Sequence, residues 1–338
     1  MPSYTTLSPD NQSWRAFAAE HATSPLQRPG WLDVLTGAYG LRARIAALTD
    51  TEGSLLAILP MIRRKLPWRA SWTSLPFTDT FEPVAVDSCR REELLVELAR
   101  HAGAEPVLVH TQIDLPGWSS RPVGTMQVID VSEGAAGVLA QAESHHRRSV
   151  ERSRRAEAGL SARPIVSRDE FLGANLALTA SSRRRLGVPT QPSRYWSRVW
   201  ELHERDEAMT IGVYLDDALV ANGVFVIAGT HAVYKYGASE EANRQLRTNF
   251  LMFATAFDLL AARGVRSLDF GLSALENTGL RKFKSRWGGE ELTVCFSATD
   301  PRMLPDKLEP GPLLTKAIQR TPVCVGRTVG SVAYPFVA

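Results

Sequence analysis

The stretch from Met209 to Gly271 constrains the fold more than any other part of the chain. Residues 209–239, "MTIGVYLDDALVANGVFVIAGTHAVYKYGAS", alternate apolar and polar side chains and are interrupted at "DD" and at "AGT". A period of two puts successive side chains on opposite faces, so the run predicts three antiparallel strands joined by two turns. "NFLMFATAFDLLAARG" follows, too long and too apolar for a strand, and is stopped by Gly264. "VRSLDFG" then reads as a short buried strand. Two hairpins, a buried helix and a further strand call for an α+β arrangement in which the helix packs on a mostly antiparallel sheet.

The first half of the chain has the same order. "DNQSWRAFAAEHA" predicts a capped helix, and "SPLQRPGWLDVLTGAYG" a second one started near Pro29 and ended at Gly40. "RARIAAL" and "SLLAILPMIRRKL" predict strands around the turn "TDTEG". "REELLVELARHAG" predicts a helix, "PVLVHTQI" and "MQVIDV" strands, and residues 134–159 one long basic helix. The chain has 338 residues, enough for roughly two domains of ordinary size. We therefore expect two α+β domains at 1–155 and 156–300, each a mixed, mostly antiparallel sheet flanked by helices. Residues 301–338 are expected to form a tail that packs back on the first domain.

Charge narrows the function classes. The formal net charge is only +3, so a site for a polyanion must be local. Two cationic stretches qualify. "GLRKFKSRWGGE" (279–290) sets Arg281, Lys282, Lys284 and Arg286 around Phe283, ahead of two glycines. "HHRRSVERSRR" (145–155) puts Arg148, Arg152 and Arg155 at i, i+4, i+7, which makes one helix face a guanidinium stripe. Each cluster is either a solvated face or a grip on something negative. A third cluster, Arg183 to Arg185, lies in "SSRRRLGVP". The three cysteines, Cys89, Cys295 and Cys324, are widely spaced, which argues against a disulfide framework or a zinc site, and no metal is expected. No window holds the ~18 consecutive apolar residues of a membrane span. The N-terminal stretch has neither the basic region nor the apolar run of a signal peptide, and the expected compartment is the cytoplasm.

Three stretches together resemble the Fem family (FemABX, FemX-like). They are "GVYLDDALVANGVFVIAGTHAVYKYGAS", "LRTNFLMFATAFDLLAARGVRSLDFG" and "GLRKFKSRWGG". "FKSRWGG" and "YKYGAS" are the most specific of these matches. "SPLQRPGWLDVLTGAYG" and "LPFTD" are similar to the family's first domain, and "SHHRRSVERSRRAEAGL" to its inter-domain helix. The resemblance implies two tandem GNAT-like domains and an aminoacyltransferase. Such an enzyme moves an amino acid from aminoacyl-tRNA to the amine of a cell-wall (peptidoglycan) or antibiotic-type secondary-metabolite precursor. It also implies aminoacyl-tRNA as co-substrate with no further cofactor, no DNA partner and no membrane span. The density of arginine tilts the acceptor towards a metabolite.

By that resemblance Lys284 sits beside the transferred aminoacyl end. Arg281, Lys282, Phe283 and Arg286 would hold the tRNA terminus, and Arg148, Arg152 and Arg155 its backbone. Arg183 and Tyr234 are the acceptor-side candidates. Aminolysis of an ester needs a neutral amine close to the carbonyl and a donor or cation for the oxyanion. Asp269 in "SLDFG" is either the acceptor of the amine's proton or a cap for the next turn. Tyr236, before Gly237, is either a site residue or a half-buried strand aromatic. Two further readings stay open: an acyl-CoA N-acyltransferase and a non-catalytic binding module. Coenzyme A users of this fold carry R/Q-x-x-G-x-G/A before the central helix, where bare backbone amides cradle the pyrophosphate. The corresponding place here reads "RQLRTNFLMF" and lacks both glycines.

Overall fold

The helix boundaries follow from the capping residues the sequence supplies. In the computed structural model, α1 (Gln12–His21) starts where the Asn11 side chain accepts from the Ser13 and Trp14 amides. α2 (Pro29–Tyr39) opens on proline and closes at Gly40, whose φ of 64° is left-handed. The structure describes residues 2–66, 69–155, 159–307 and 311–321. These divide into two compact units, one holding 2–125 and 293–307, the other 126–292 and 311–321.

In the first unit β1 (Ser3–Leu7), β2 (Ala43–Thr49), β3 (Leu55–Leu66) and β4 (Arg69–Ser74) are antiparallel neighbours in that order. β5 (Val84–Ala85) pairs with β3, and β6 (Val107–Val109) lies parallel to β4. The β2–β3 turn is tied by the Asp50 carboxylate, which accepts from the Glu52 and Ser54 amides at 2.9 and 2.8 Å. α3 (Ser88–Arg100), capped by Asp87, packs on β2 and β3.

β7 (Ser119–Asp130) carries the chain into the second unit. There α4 (Gly134–Gln141) and α5 (Ser144–Ser153) precede β8 (Leu160–Pro164). α6 (Arg168–Glu170) runs through a π-helical segment, Phe171–Asn175, into α7 (Leu176–Leu186), and α8 (Ser193–Glu204) follows. The anticipated strands are β9 (Ala208–Leu215), β10 (Ala218–Ala228) and β11 (His231–Ser239), antiparallel to one another. α9 (Thr248–Ala262) crosses over to β12 (Ser267–Asp269), which is parallel to β11 and antiparallel to β7. β13 (Ser273–Ala274) pairs with β7, and α10 (Thr278–Ser285) leads to β14 (Glu290–Ala298). The sheet order in this unit is β7-β12-β11-β10-β9-β8. α9 is its keystone: Phe250, Met252, Phe253, Phe257 and Leu260 are all buried, each worth about 1.5–3 kcal/mol of burial. Gly223 on β10 admits Met252, whose sulfur lies 2.5 Å from where a β-carbon would stand.

Four expectations change. The division between units falls after Thr125, not near residue 155, because α4 and α5 bury Ala135, Val138, Ala142 and Val150 in the core that α9 organises. The long basic helix is two helices. The backbone is extended at Ala142 and Glu143, and the Glu143 amide leaves the helix to donate to the Arg286 carbonyl at 2.9 Å. β1, β4 and β8 were not anticipated. The tail splits: Arg121 of the first unit reaches the Leu304 and Pro305 carbonyls and Asp306. α11 (Pro312–Arg320) instead packs on α7 of the second unit, with Gln319 donating to the Arg185 carbonyl at 3.0 Å. The apolar end, "VGSVAYPFVA", lies outside the described residues.

Candidate active site

β11 and β12 pair over three residues only: His231 with Ser267, Ala232 with Leu268, Val233 with Asp269. Past that point the two strands part. The chain leaves β12 through Gly271, at φ 75°, while β11 continues along β10 to Ser239. The β10–β11 register also shifts there, since Val224 faces Tyr236 and Phe225 faces Tyr234, so Lys235 is an extra residue. Asp269, Tyr234 and Tyr236 are therefore the residues at and just beyond the split.

Lys284 reaches the same place from α10. It is 5% exposed, and its ammonium donates to the Gly271 carbonyl at 2.6 Å and the Leu272 carbonyl at 3.3 Å. The solvated-face reading of this lysine is thereby removed. A buried ammonium must be hydrogen-bonded, and here the carbonyls of the turn after β12 supply the partners. The Asp269 carboxylate accepts from the Gly271 amide at 2.7 Å, so it caps that turn. Asp269, Gly271 and Lys284 form one chain of hydrogen bonds, with both charged ends at the strand split.

Tyr236 meets Tyr195 of α8, hydroxyl to hydroxyl, at 2.5 Å. Tyr195 is fully buried, and the Trp196 ring stands edge-on to Tyr236 at 5.1 Å. Tyr234 is half-buried against Phe225 and Phe253, at ring distances of 5.4 and 4.8 Å. Its hydroxyl lies 1.6 Å from where a β-carbon on Gly237 would be, so only glycine at 237 lets this ring lie down. Burial pushes the Tyr234 phenol well above its ordinary pKa.

The cationic stretch divides by face. Lys282 is exposed. Arg281 pairs with Glu291 at 2.6 Å, and Arg286 with Glu143 at 3.0 Å. Phe283, expected to face tRNA, is packed among Phe250, Trp287 and His146 at ring distances of 5.5, 6.2 and 5.2 Å. It is a partly buried aromatic packed against the core, because α10 turns that side onto α9. On α5, Arg148 and Arg152 are exposed on one face, but the helix ends at Ser153 and Arg155 lies beyond it. The stripe is thus two residues long, not three. Arg183, an acceptor-side candidate, donates from Nε to the Pro189 carbonyl at 2.7 Å and so ties down the loop after α7.

Two further residues belong to this region. His146 is 1% exposed, boxed by Phe250, Phe283 and Trp287, and its Nε2 donates to the Phe283 carbonyl at 2.9 Å. The signal was present: His146, Val150 and Ser153 recur at i, i+4, i+7 and form the buried face opposite the arginines. Tyr195 was likewise readable from the apolar face Tyr195, Trp196, Val199, Trp200 of α8.

Burial lowers the His146 pKa from its ordinary value to about 4, and that of His203, bonded to Thr210 at 2.8 Å, also to about 4. The folded protein then binds fewer protons than the unfolded chain between about pH 6.5 and 4. Stability from these two groups is present above pH 6.5 and is lost as the pH falls through 4. Each histidine is expected to cost up to roughly 3 kcal/mol at about 1.4 kcal/mol per pH unit. Urea unfolding across this window should show uptake of about two protons, falling to about one in His146→Phe. An unchanged uptake in the variant would mean that His146 does not titrate this way.

At the start of α9, Arg247 holds the left-handed conformation, φ 63°, at the capping position, and Thr248 is 2% exposed. Side chains thus stand where coenzyme A users of this fold keep glycines. Among the described residues no three His, Cys, Asp or Glu side chains are placed to hold a metal ion. No helix among them is long and apolar enough to cross a membrane.

Residues 144–285 match the family described as acetyltransferase (GNAT) domain. Among solved structures the chain is similar to FemX, with a TM-score of 0.67 at 17% identity over 87% of this chain and 96% of that one. The chain has a Fem-like tandem GNAT fold. It is also similar to L-PGS from Bacillus licheniformis, with a TM-score of 0.57 and 14% identity over 96% and 98% of the two chains. A tandem GNAT protein from the clavulanic acid biosynthesis pathway gives 0.53 and 14% over 89% and 99%. No curated protein matches the chain. In this Fem-like fold the second unit supplies β9 to β12 and α9 as its GNAT core; Lys284 and Asp269 meet at the turn after β12, and on β11, past its pairing with β12, Tyr234 packs on Phe253 of α9 and Tyr236 on Tyr195 of α8.

Proposed function

We propose that the chain is an acyltransferase that takes an aminoacyl group from aminoacyl-tRNA and forms an amide on an amine acceptor. The observation that carries this reading is Lys284, a buried ammonium bonded to the turn at the end of β12. Around it the fold is Fem-like, and α9 begins on Arg247 and Thr248 rather than on a glycine loop. The acceptor amine attacks the ester carbonyl, and the C–N bond forms as the C–O bond to the tRNA ribose breaks. The amine's proton passes to Asp269 directly or through water, and from there to the departing ribose oxygen, so the carboxylate is regenerated. Lys284 sets a positive charge beside the developing oxyanion and holds the turn that carries Asp269. Tyr236, fixed by Tyr195, and Tyr234 line the acceptor side. The exposed Lys282, Arg148 and Arg152 meet tRNA phosphates. The acceptor is a cell-wall or secondary-metabolite amine, and the compartment is the cytoplasm.

One observation favours a second reading, acyl-CoA-dependent N-acyl transfer: the match of residues 144–285 to the acetyltransferase domain family. A paired titration separates the two. The expected result is salt-sensitive binding of aminoacyl-tRNA and no saturable binding of acetyl-CoA. Replacing Arg148, Arg152 and Arg155 together should lower the slope of log affinity against log salt by about 0.7–0.9 for each phosphate that is no longer neutralised. An unchanged slope removes α5 from the tRNA site. Saturable acetyl-CoA binding with no tRNA preference overturns the proposal.

A further inference from the structure

Two buried polar atoms beside the Lys284 turn have no hydrogen-bond partner among the described residues. The Ser273 hydroxyl, on β13 immediately after the turn, belongs to a residue 2% exposed. The Gln127 side-chain oxygen, on the neighbouring β7, belongs to another 2% exposed. Both lie in the second unit, and the backbone joins them closely: the Gln127 carbonyl accepts from the Phe270 amide at 2.9 Å, and β13 pairs with β7. The Gln127 amide nitrogen is already spent, donating to Glu291 at 3.0 Å. Glu291 in turn is held by Arg281 of α10, one helical turn from Lys284 on the same helix. α10 therefore clamps both ends of this corner. Buried polar atoms are normally satisfied, and a donor and an acceptor orphaned on paired strands next to a proposed reaction site point to a ligand group that completes them.

We propose that Ser273 and Gln127 are specificity-determining residues that receive the amino group of the transferred aminoacyl ester. This rests on the aminoacyl-transfer reading above. A neutral α-amine fits both atoms at once, donating N–H to the Gln127 oxygen and accepting O–H from Ser273. The nearby Lys284 ammonium favours that neutral form, since a like charge disfavours protonation. An acetyl group has nothing to offer either atom and leaves both unpaired, which a buried site penalises. The pair thus rejects plain acyl chains and selects aminoacyl ones, independently of how the tRNA body is held.

The test uses the full chain and two stable analogues of the charged tRNA terminus, 3′-amino-3′-deoxyadenosine carrying either an L-alanyl or a propionyl amide. They differ only in the amino group. The expected result by calorimetry is alanyl binding at least about tenfold tighter, about 1.4 kcal/mol. Ser273→Ala and Gln127→Met should each bring the ratio below about threefold, with propionyl affinity held within about twofold and melting temperature preserved. Equal affinities in the unmutated protein, or a ratio unmoved in both variants, overturn the proposal and leave the transfer reading standing. Absence of binding by either analogue overturns both. The comparison in the unmutated protein needs no variant, so a folding defect in either one does not blunt the test.

Discussion

Removal of the Lys284 ammonium is expected to cut aminoacyl transfer by about 100-fold or more while tRNA affinity stays within about threefold. The size follows from the loss of one preorganised donor or charge at an oxyanion. The contrast with binding follows from burial. The ammonium of a lysine that is only 5% exposed, bonded to the Gly271 and Leu272 carbonyls, is not where a phosphate of the tRNA body would be gripped; the exposed Lys282 is. Two variants divide the effect. Lys284→Met keeps the stem packed and removes the charge, whereas Lys284→Ala also empties the space. Both leave the turn carbonyls short of a donor, at about 1–3 kcal/mol, so both should melt earlier. Single-turnover transfer and tRNA binding, measured side by side, decide the matter. Equal losses in the two would make Lys284 a phosphate ligand and end its role at the reaction centre.

Much of the second unit could be read from the sequence because its signals are local. The alternation in residues 209–239 gave β9, β10 and β11, and the apolar run closed by Gly264 gave α9. What failed was decided by distant partners. β1, β4 and β8 are short or lack clean alternation, and they exist because β2, β3 and β9 offer them an edge. The break between α4 and α5 has no glycine or proline to mark it; the Arg286 carbonyl, far along the chain, draws the Glu143 amide out of the helix. Part of the candidate site was legible for the same reason. Lys284, Asp269 and the tyrosines stood out by type and by resemblance. His146 and Tyr195 lie on the buried faces of α5 and α8, and on α5 the residues that stand out by charge are on the opposite face. Phe283 has cations for neighbours in sequence and rings for neighbours in space, and only the first are visible from the sequence.

The two glycines that end "FKSRWGG" carry the largest expected effect on stability. Trp287, fully buried against Phe257 at 5.2 Å and His146 at 4.7 Å, fixes the end of α10 in the core. The chain must then turn at once to enter β14. It does so through Gly288 at φ 82° and Gly289 at φ 103°, a region that side chains rarely adopt. At Gly289 a β-carbon would stand 2.4 Å from the Val128 carbonyl oxygen and 2.5 Å from the Ile129 side chain. The first of these is backbone of β7, so it has no rotamer by which to yield. Gly289→Ala is therefore expected to destabilise the protein by about 2–6 kcal/mol, roughly 1–3 from the forced backbone and roughly 1–3 from overpacking. That is a large part of a typical domain's stability. Gly288→Ala, where the nearest neighbour is the Gln141 β-carbon at 3.1 Å, should cost distinctly less. Urea denaturation of the two variants side by side checks the order. If Gly289→Ala were no worse than Gly288→Ala, the close approach to β7 would not be what requires glycine there. The motif would then owe its second glycine to the site rather than to the turn.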